Sequence, residues 1–212
     1  MPEFWERIPY DNILIIAAHP DDEFLGCGGT ILKALNEKKK VHICFTTDGS
    51  KYPPWNGKEI NKERRLSEIK KIYEKLKISG LYLLNFEDDF LFMHKHSLKE
   101  VLAWIIKDLK PDLILTHFPD KHKDHVIVHE TVTEVCTFLN PKPKLLFFLP
   151  YGGKLIHQPR VVVDISEYYQ KKIKILKEYK SQLFVCFPYL LIHIFEDLFL
   201  QSWYKTKVEV FL

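Results

Sequence analysis

Asn12-Ile13-Leu14-Ile15-Ile16, followed at once by Ala17-Ala18-His19-Pro20-Asp21-Asp22-Glu23, decides how the rest of the chain is read. The apolar run is too short for a helix, is rich in β-branched residues and is stopped by a proline, which predicts a buried parallel strand. A buried strand has no reason of its own to end in a histidine and three carboxylates. Asp21 and Asp22 repel each other, and burying such charges without partners costs several kcal/mol, roughly. A divalent cation removes that cost, and a His/Asp donor set is the N/O mixture that suits zinc or a neighbouring transition metal. The bland alternative is a solvated acidic turn whose aspartate caps the next helix. It gives no reason for the cluster to fall at the carboxyl end of a strand, where open α/β sheets bind ligands.

The next stretch is rich in glycine. Gly26, Gly28 and Gly29 precede Ile31, Leu32 and Leu35 at helical spacing, so the predicted order is strand, acidic loop, glycine-rich turn, helix. Gly26-Cys27-Gly28-Gly29 lacks the G-x-G-x-x-G spacing of a dinucleotide site. The carboxylates also stand where a pyrophosphate needs backbone donors and no negative charge. A nucleotide-binding module built on this turn is the weaker reading, and it predicts no bound metal.

Outward from this centre, residues 40–49 read as a second strand running into a polar turn. Residues 50–61, with Pro53, Pro54 and Gly57, read as a loop that carries Tyr52 and Trp55, two rings suited to stacking on a sugar or to packing the loop down. Residues 62–77 place Leu66, Ile69, Ile72, Tyr73 and Leu76 on one side of an amphipathic helix. A third strand, 81–86, ends in Glu87-Asp88-Asp89; a second amphipathic helix spans 98–109; and a fourth strand, 111–117, leads into Phe118-Pro119-Asp120-Lys121-His122-Lys123-Asp124-His125. A helix from about 126 to 138, strands at 144–149 and 160–165, and a helix over 166–183 complete the pattern. Ser166 is the expected N-cap of that last helix, with Glu167 in its first turn. Strands alternating with helices predict an α/β fold: a Rossmann-like, mostly parallel sheet with helices on both faces, in a single domain over 1–212.

Composition agrees. A chain of 212 residues suffices for one well-buried domain, and 46% hydrophobic with 28% charged residues is ordinary for a globular protein. The net charge is +3 with Lys and Arg scattered, so no basic block predicts a nucleic-acid partner. Cys27, Cys44, Cys136 and Cys186 form no C-x-x-C and read as reduced, mostly buried thiols of a cytoplasmic protein. Residues 1–7 show no basic stretch leading into an apolar one, so no secretory leader is expected. Residues 184–200 are dense in Phe, Leu and Ile but interrupted by Pro188, His193, Glu196 and Asp197, too short and too polar for a membrane span. Such a segment either packs over a sheet edge or joins subunits, and a homo-oligomer contact is the favoured expectation.

His122 and His125 flank Asp124 on the edge of the sheet that carries the first cluster. One of them, His19 and one aspartate make three protein ligands and leave a position for water and substrate. The second aspartate is then available to take a proton from that water, and the second histidine to stabilise an oxyanion or protonate a leaving amine. That division of labour is what metal-assisted amide or ester hydrolysis requires. A two-metal phosphoesterase is the competing enzyme reading, with Asp48 or Asp88 as a source of further ligands.

These residues resemble a known family. His19-Pro20-Asp21-Asp22-Glu23 is similar to the signature of the PIG-L/LmbE-like N-acetylglucosaminyl de-N-acetylases, and His122-Lys123-Asp124-His125 to their second motif, usually written H-P-D-H. Thr47-Asp48-Gly49, Arg65-Leu66-Ser67-Glu68, Asp88 and Lys180-Ser181-Gln182 follow in the family's order. The resemblance implies a zinc-dependent enzyme that removes the acetyl group from an N-acetylglucosamine-type sugar. It implies His19, Asp22 and His125 as metal ligands, Asp21 as general base, and His122 as oxyanion stabiliser or acid. Asp124 would orient a histidine, and Arg65 and Asp88 would face the sugar's hydroxyls. Glu23 is left as a supporting or helix-start residue and Cys27 as a packed thiol. Two positions depart from the pattern: Lys123 stands in place of the usual proline, and Tyr179 where relatives often carry a histidine before the Ser-Gln pair.

Overall fold

The computed structural model of the chain describes residues 1–150, 152–155 and 158–212. After a short strand β1 (Glu3–Trp5), the decisive stretch forms β2 (Asn12–Ala17). Then follow α1 (Asp22–Asn36), β3 (Lys40–Thr47), α2 (Lys58–Leu76), β4 (Gly80–Phe86), α3 (Lys95–Leu109), β5 (Leu113–His117), α4 (Lys123–Thr137) and β6 (Lys144–Phe148). β7 (Val161–Asp164), α5 (Tyr169–Leu176), α6 (Leu183–Tyr204) and β8 (Val208–Phe211) complete the chain. Five strands in the order β4-β3-β2-β5-β6, all parallel, form the main sheet. β2 sends Ile13, Ile15 and Ala17 into one apolar layer and Leu14 and Ile16 into the other, which Ala18, just past its end, also joins. That two-sided burial is why its sequence is apolar without alternation. The expected α/β architecture, with helices on both faces, is present.

The strand at 160–165 does not extend the main sheet. β7 pairs in parallel with β1 and antiparallel with β8, making a second, three-stranded sheet. The two sheets share one apolar cluster, from Trp5 through Ile15 and Phe45 to Phe211.

Three boundaries differ from expectation. α2 begins at Lys58 and α4 at Lys123, so Asp124 and His125 lie in the first turn of a helix rather than in a loop. Ser166 is not an N-cap: α5 starts at Tyr169, and the Ser166 hydroxyl instead meets Thr206 Oγ1 at 2.5 Å and accepts the Lys207 N–H. The glycines do not form a turn. They lie inside α1, which kinks at Cys27 (φ −143°, ψ 24°).

The kink has a specific chemical filling. Gly29 N–H, which in an unbroken helix would bond the Leu25 carbonyl, donates instead to Glu209 Oε1 (2.8 Å), and Thr30 N–H to Oε2 (2.7 Å). The Leu25 carbonyl in turn accepts from Lys172 Nζ (3.1 Å), which also pairs with Glu209 at 2.8 Å. A buried ion pair from α5 and β8 therefore takes over the hydrogen bonds that α1 gives up. Glycine is needed for close approach: a Cβ on Gly26 would lie 2.2 Å from the Phe148 ring, and one on Gly29 2.6 Å from Ile165.

Cys27, Cys44 and Cys136 are buried free thiols, as expected; the side chain of Cys186 lies outside the described residues. Among the described residues no helix is long and apolar enough to cross a membrane.

Candidate active site

From β2 the chain proceeds through α1 to β3 on one side, and β5 lies on the other. The carboxyl ends of β2 and β5 therefore border the point where the strand order reverses, where an open parallel sheet leaves a crevice. His19 follows β2, His117 ends β5, and His122 caps α4, its Nδ1 accepting the Asp124 N–H at 3.3 Å.

Asp22, in the first turn of α1, is the hub. Its Oδ2 accepts the His19 N–H at 2.9 Å and lies 3.2 Å from both His19 Nδ1 and His125 Nε2. Its Oδ1 is buried without a hydrogen-bond partner among the described residues. Ligand atoms of His19, His122 and His125 lie within 4.8 Å of one another, and so do those of Asp22, His117 and His125. An orphaned, buried carboxylate oxygen among imidazoles fits a borderline divalent cation well. The acidic stretch is not a solvated cap: His19, Asp21 and Asp22 are all buried, and Asp21 makes no side-chain capping bond.

Charges inside the site are strongly coupled. Burial disfavours a charged His19, but Asp88, Asp124 and Asp22 outweigh it and hold the ring's pKa well above the ordinary value. For His125 burial is likewise outweighed, by Asp22 and Asp120, and its pKa is raised. Asp22 is held well below the carboxylate range: the neighbouring His125, His19 and His117 overcome its desolvation. His122 goes the other way, lowered to about 4 by burial and by the neighbouring His19 and His125. With Nδ1 accepting from Asp124, neutral His122 carries its hydrogen on Nε2, which makes that nitrogen a donor.

The structure brings together His19, Asp22, Asp88, His122, Asp124 and His125, with Asp21 next to Asp22 in the chain and Arg65 against the turn that carries them. Asp88 is buried, its Oδ1 3.0 Å from His19 Nε2 and its Oδ2 accepting the Lys51 N–H at 3.0 Å. Arg65 Nη1 donates to the Pro20 carbonyl (3.1 Å) and so braces the His19-Pro20-Asp21 turn. Asp124 lies 3.4 Å from His19 Nε2 and accepts the Asp89 and Leu91 N–H groups, tying α4 to the loop after β4. Tyr52 and Trp55 stay out of the buried cluster, 38% and 72% exposed on a loop beside it. That loop is pinned: the Asn61 side chain donates to the Ser50 and Pro53 carbonyls, and Gln182 Nε2 to the Tyr52 carbonyl. Ser181 donates both its N–H and its hydroxyl to Glu68, which joins two of the sequence-distant motifs. Lys123, at the usual proline position, ion-pairs with Asp89, as does Lys51.

Two groups were not singled out by sequence reasoning. His117 is fully buried; its Nε2 accepts the Ala18 N–H at 2.8 Å, and its ring stacks on His125 with centroids 3.9 Å apart. Asp120 receives His125 Nδ1 at 2.7 Å and the His122 N–H at 2.7 Å, so the carboxylate that orients His125 is Asp120. The available signals were a histidine closing a buried strand and an aspartate two residues before His122.

The sequence profile of PIG-L, described as GlcNAc-PI de-N-acetylase, matches residues 14–136, which hold both histidine clusters. The chain belongs to the PIG-L family. This PIG-L-family chain is 27% identical over 183 residues to the probable N-acetyl-alpha-D-glucosaminyl L-malate deacetylase 2 of Bacillus anthracis, covering 81% of each. It is 28% identical over 188 residues to diacetylchitobiose deacetylase of Thermococcus kodakarensis, covering 81% of this chain and 70% of the relative. Its fold superposes on the structure of N,N'-diacetylchitobiose deacetylase from Pyrococcus horikoshii with a TM-score of 0.82 at 21% identity, over 96% of this chain and 84% of that one. As a PIG-L-family member it is an enzyme, an amidohydrolase of the deacetylase type.

Proposed function

We propose that the chain is a zinc-dependent deacetylase that hydrolyses the acetamide of an N-acetylglucosamine-type sugar. The observation that carries this reading is the convergence of His19 and His125 on Asp22 Oδ2, 3.2 Å from each, beside Asp21, while the other oxygen of that buried carboxylate has no hydrogen-bond partner among the described residues. These three would hold the cation, which supplies Lewis acidity toward a water and the amide carbonyl. Asp21 takes the proton from the attacking water. Neutral His122, with its hydrogen on Nε2, donates to the oxyanion as the carbonyl becomes tetrahedral. Asp120 and Asp124 hold His125 and His19 from behind, and Arg65 with Asp88 forms the polar wall for the sugar's hydroxyls. The deacetylase names of the relatives support the acetamide as substrate over a phosphoester.

The chain is further read as a homo-oligomer whose copies meet on α6. Phe187, Leu191, Phe195, Leu198 and Trp203 are exposed along that helix, while its two charged residues, Glu196 and Asp197, are buried. A stripe without Lys or Arg gives anionic lipid headgroups nothing to hold, and it suits a second identical stripe. Soluble protein supplied with zinc should release amine and acetate from N-acetylglucosamine or N,N'-diacetylchitobiose, and His19→Ala should not. Absence of amine release from both sugars by zinc-loaded protein would overturn the substrate reading.

A further inference from the structure

Glu23 is fully buried beside the site, and among the described residues no cation faces its oxygens in an ion pair. Its carboxylate is balanced by donors alone. Oε1 accepts the hydroxyls of Tyr73 from α2 and of Tyr179 from the turn after α5, each at 2.5 Å, and these two hydroxyls lie 3.3 Å apart. Oε2 accepts the backbone N–H of Asp21 at 2.9 Å. Asp21 needs such a restraint, because its backbone sits at φ 126°, ψ −32°, a region that a residue with a Cβ adopts only when its surroundings compel it. Two bonds fix the peptide plane that enters Asp21 from both of its edges: Arg65 grips the Pro20 carbonyl, and Glu23 grips the Asp21 N–H. The Asp21 carbonyl accepts the Leu25 N–H at 2.9 Å and begins the helix.

We infer that Glu23, anchored by the hydroxyls of Tyr73 and Tyr179, is a positioning residue that locks the strained backbone of Asp21 and so aims its carboxylate. This rests on the reading of Asp21 as general base. It gives a role to two features that the metal site leaves unexplained, a third buried carboxylate next to Asp22 and a tyrosine at position 179. The two phenols reach Glu23 from segments 106 residues apart in sequence, so α1, α2 and the segment after α5 are tied together under one side chain.

The test is a mutant cycle on zinc-loaded enzyme, with amine release from N,N'-diacetylchitobiose as the readout. Tyr73→Phe/Tyr179→Phe removes two hydroxyls with little change in volume and, among the described residues, leaves Glu23 with the Asp21 N–H as its hydrogen-bond donor. It should lower kcat about 10- to 100-fold, the scale of a small misplacement of a reacting group, with KM and bound zinc unchanged. Each single Phe variant should fall in between, which keeps the test open if the double variant folds poorly. In an Asp21→Asn background the same double change should lower kcat no further, because the aim of an absent base is immaterial. An equal fall in both backgrounds, a loss of zinc, or an unchanged kcat overturns the inference. Full activity of Asp21→Asn by itself would instead sink the general-base reading.

Discussion

His125 Nε2 lies 3.2 Å from Asp22 Oδ2, while its Nδ1 is held 2.7 Å from Asp120, so the imidazole is fixed between two carboxylates. His19 is likewise surrounded by Asp22, Asp88 and Asp124. Without a cation both rings hold protons more tightly than a free histidine does. Loading the site therefore displaces protons, and affinity for zinc should rise with pH and fall as the solution is acidified. Calorimetric titration at pH 6 and pH 8, in buffers of different ionisation enthalpy, should show tighter binding and less proton release at the higher pH. Affinity that does not change with pH would show that His19 and His125 are not the ligands.

The ion pair that fills the kink of α1 makes a stability prediction. Lys172 and Glu209 are both buried, and Glu209 also takes the Gly29 and Thr30 N–H groups. Glu209→Ala leaves the buried Lys172 ammonium without the charge that faces it, holding only the Leu25 carbonyl, and two helix donors without their acceptors, and should cost about 3–5 kcal/mol. Lys172→Met/Glu209→Gln together should cost less, since the uncompensated charge goes with the pair. Denaturant unfolding of the two variants decides; a loss below about 1 kcal/mol for Glu209→Ala would mean that solvent reaches the pair.

Much of this was legible in the chain. The two-sided burial of β2 could be read from Ile13 to Ile16, and both histidine clusters from their ligand types and their places at strand ends. What could not be read depended on contacts made across long stretches of sequence. The glycines looked like a turn because nothing local says that Phe148 and Ile165 press on α1, or that Glu209 supplies the acceptor its broken ladder needs. Ser166 looked like a cap because its hydroxyl's actual partner is Thr206, near the end of the chain. Asp124 was expected to orient a histidine; it does touch His19, yet Asp120 is the one that holds His125, a choice that only the path of the loop makes.

Trp55 tests the rim. Its ring is 72% exposed although its loop is fastened by Asn61 and Gln182, so a large apolar surface is held in water by a pinned backbone. If it stacks on the sugar, Trp55→Ala should raise KM several-fold and leave kcat nearly unchanged, because stacking that is equal in ground and transition states appears only in binding. An unchanged KM would assign the ring to loop packing.

Asp21 and Asp22 are adjacent, both buried, and face different tasks, so paired asparagine variants separate binding from catalysis. Asp22 lies against His19 and His125, and its replacement by an amide takes a charged oxygen from the donor set; Asp22→Asn should lose zinc on dialysis. Asp21→Asn keeps its volume but cannot accept a proton, so it should keep zinc and still bind product while kcat falls by ~10²–10⁴-fold, the usual worth of a general base. Its backbone strain should be unaffected, since Glu23 holds the main-chain N–H rather than the side chain. Zinc analysis and kcat measured on the same preparations give the answer. Loss of zinc from Asp21→Asn with retention in Asp22→Asn would invert the two assignments, and full activity in both variants would remove the carboxylates from the reaction.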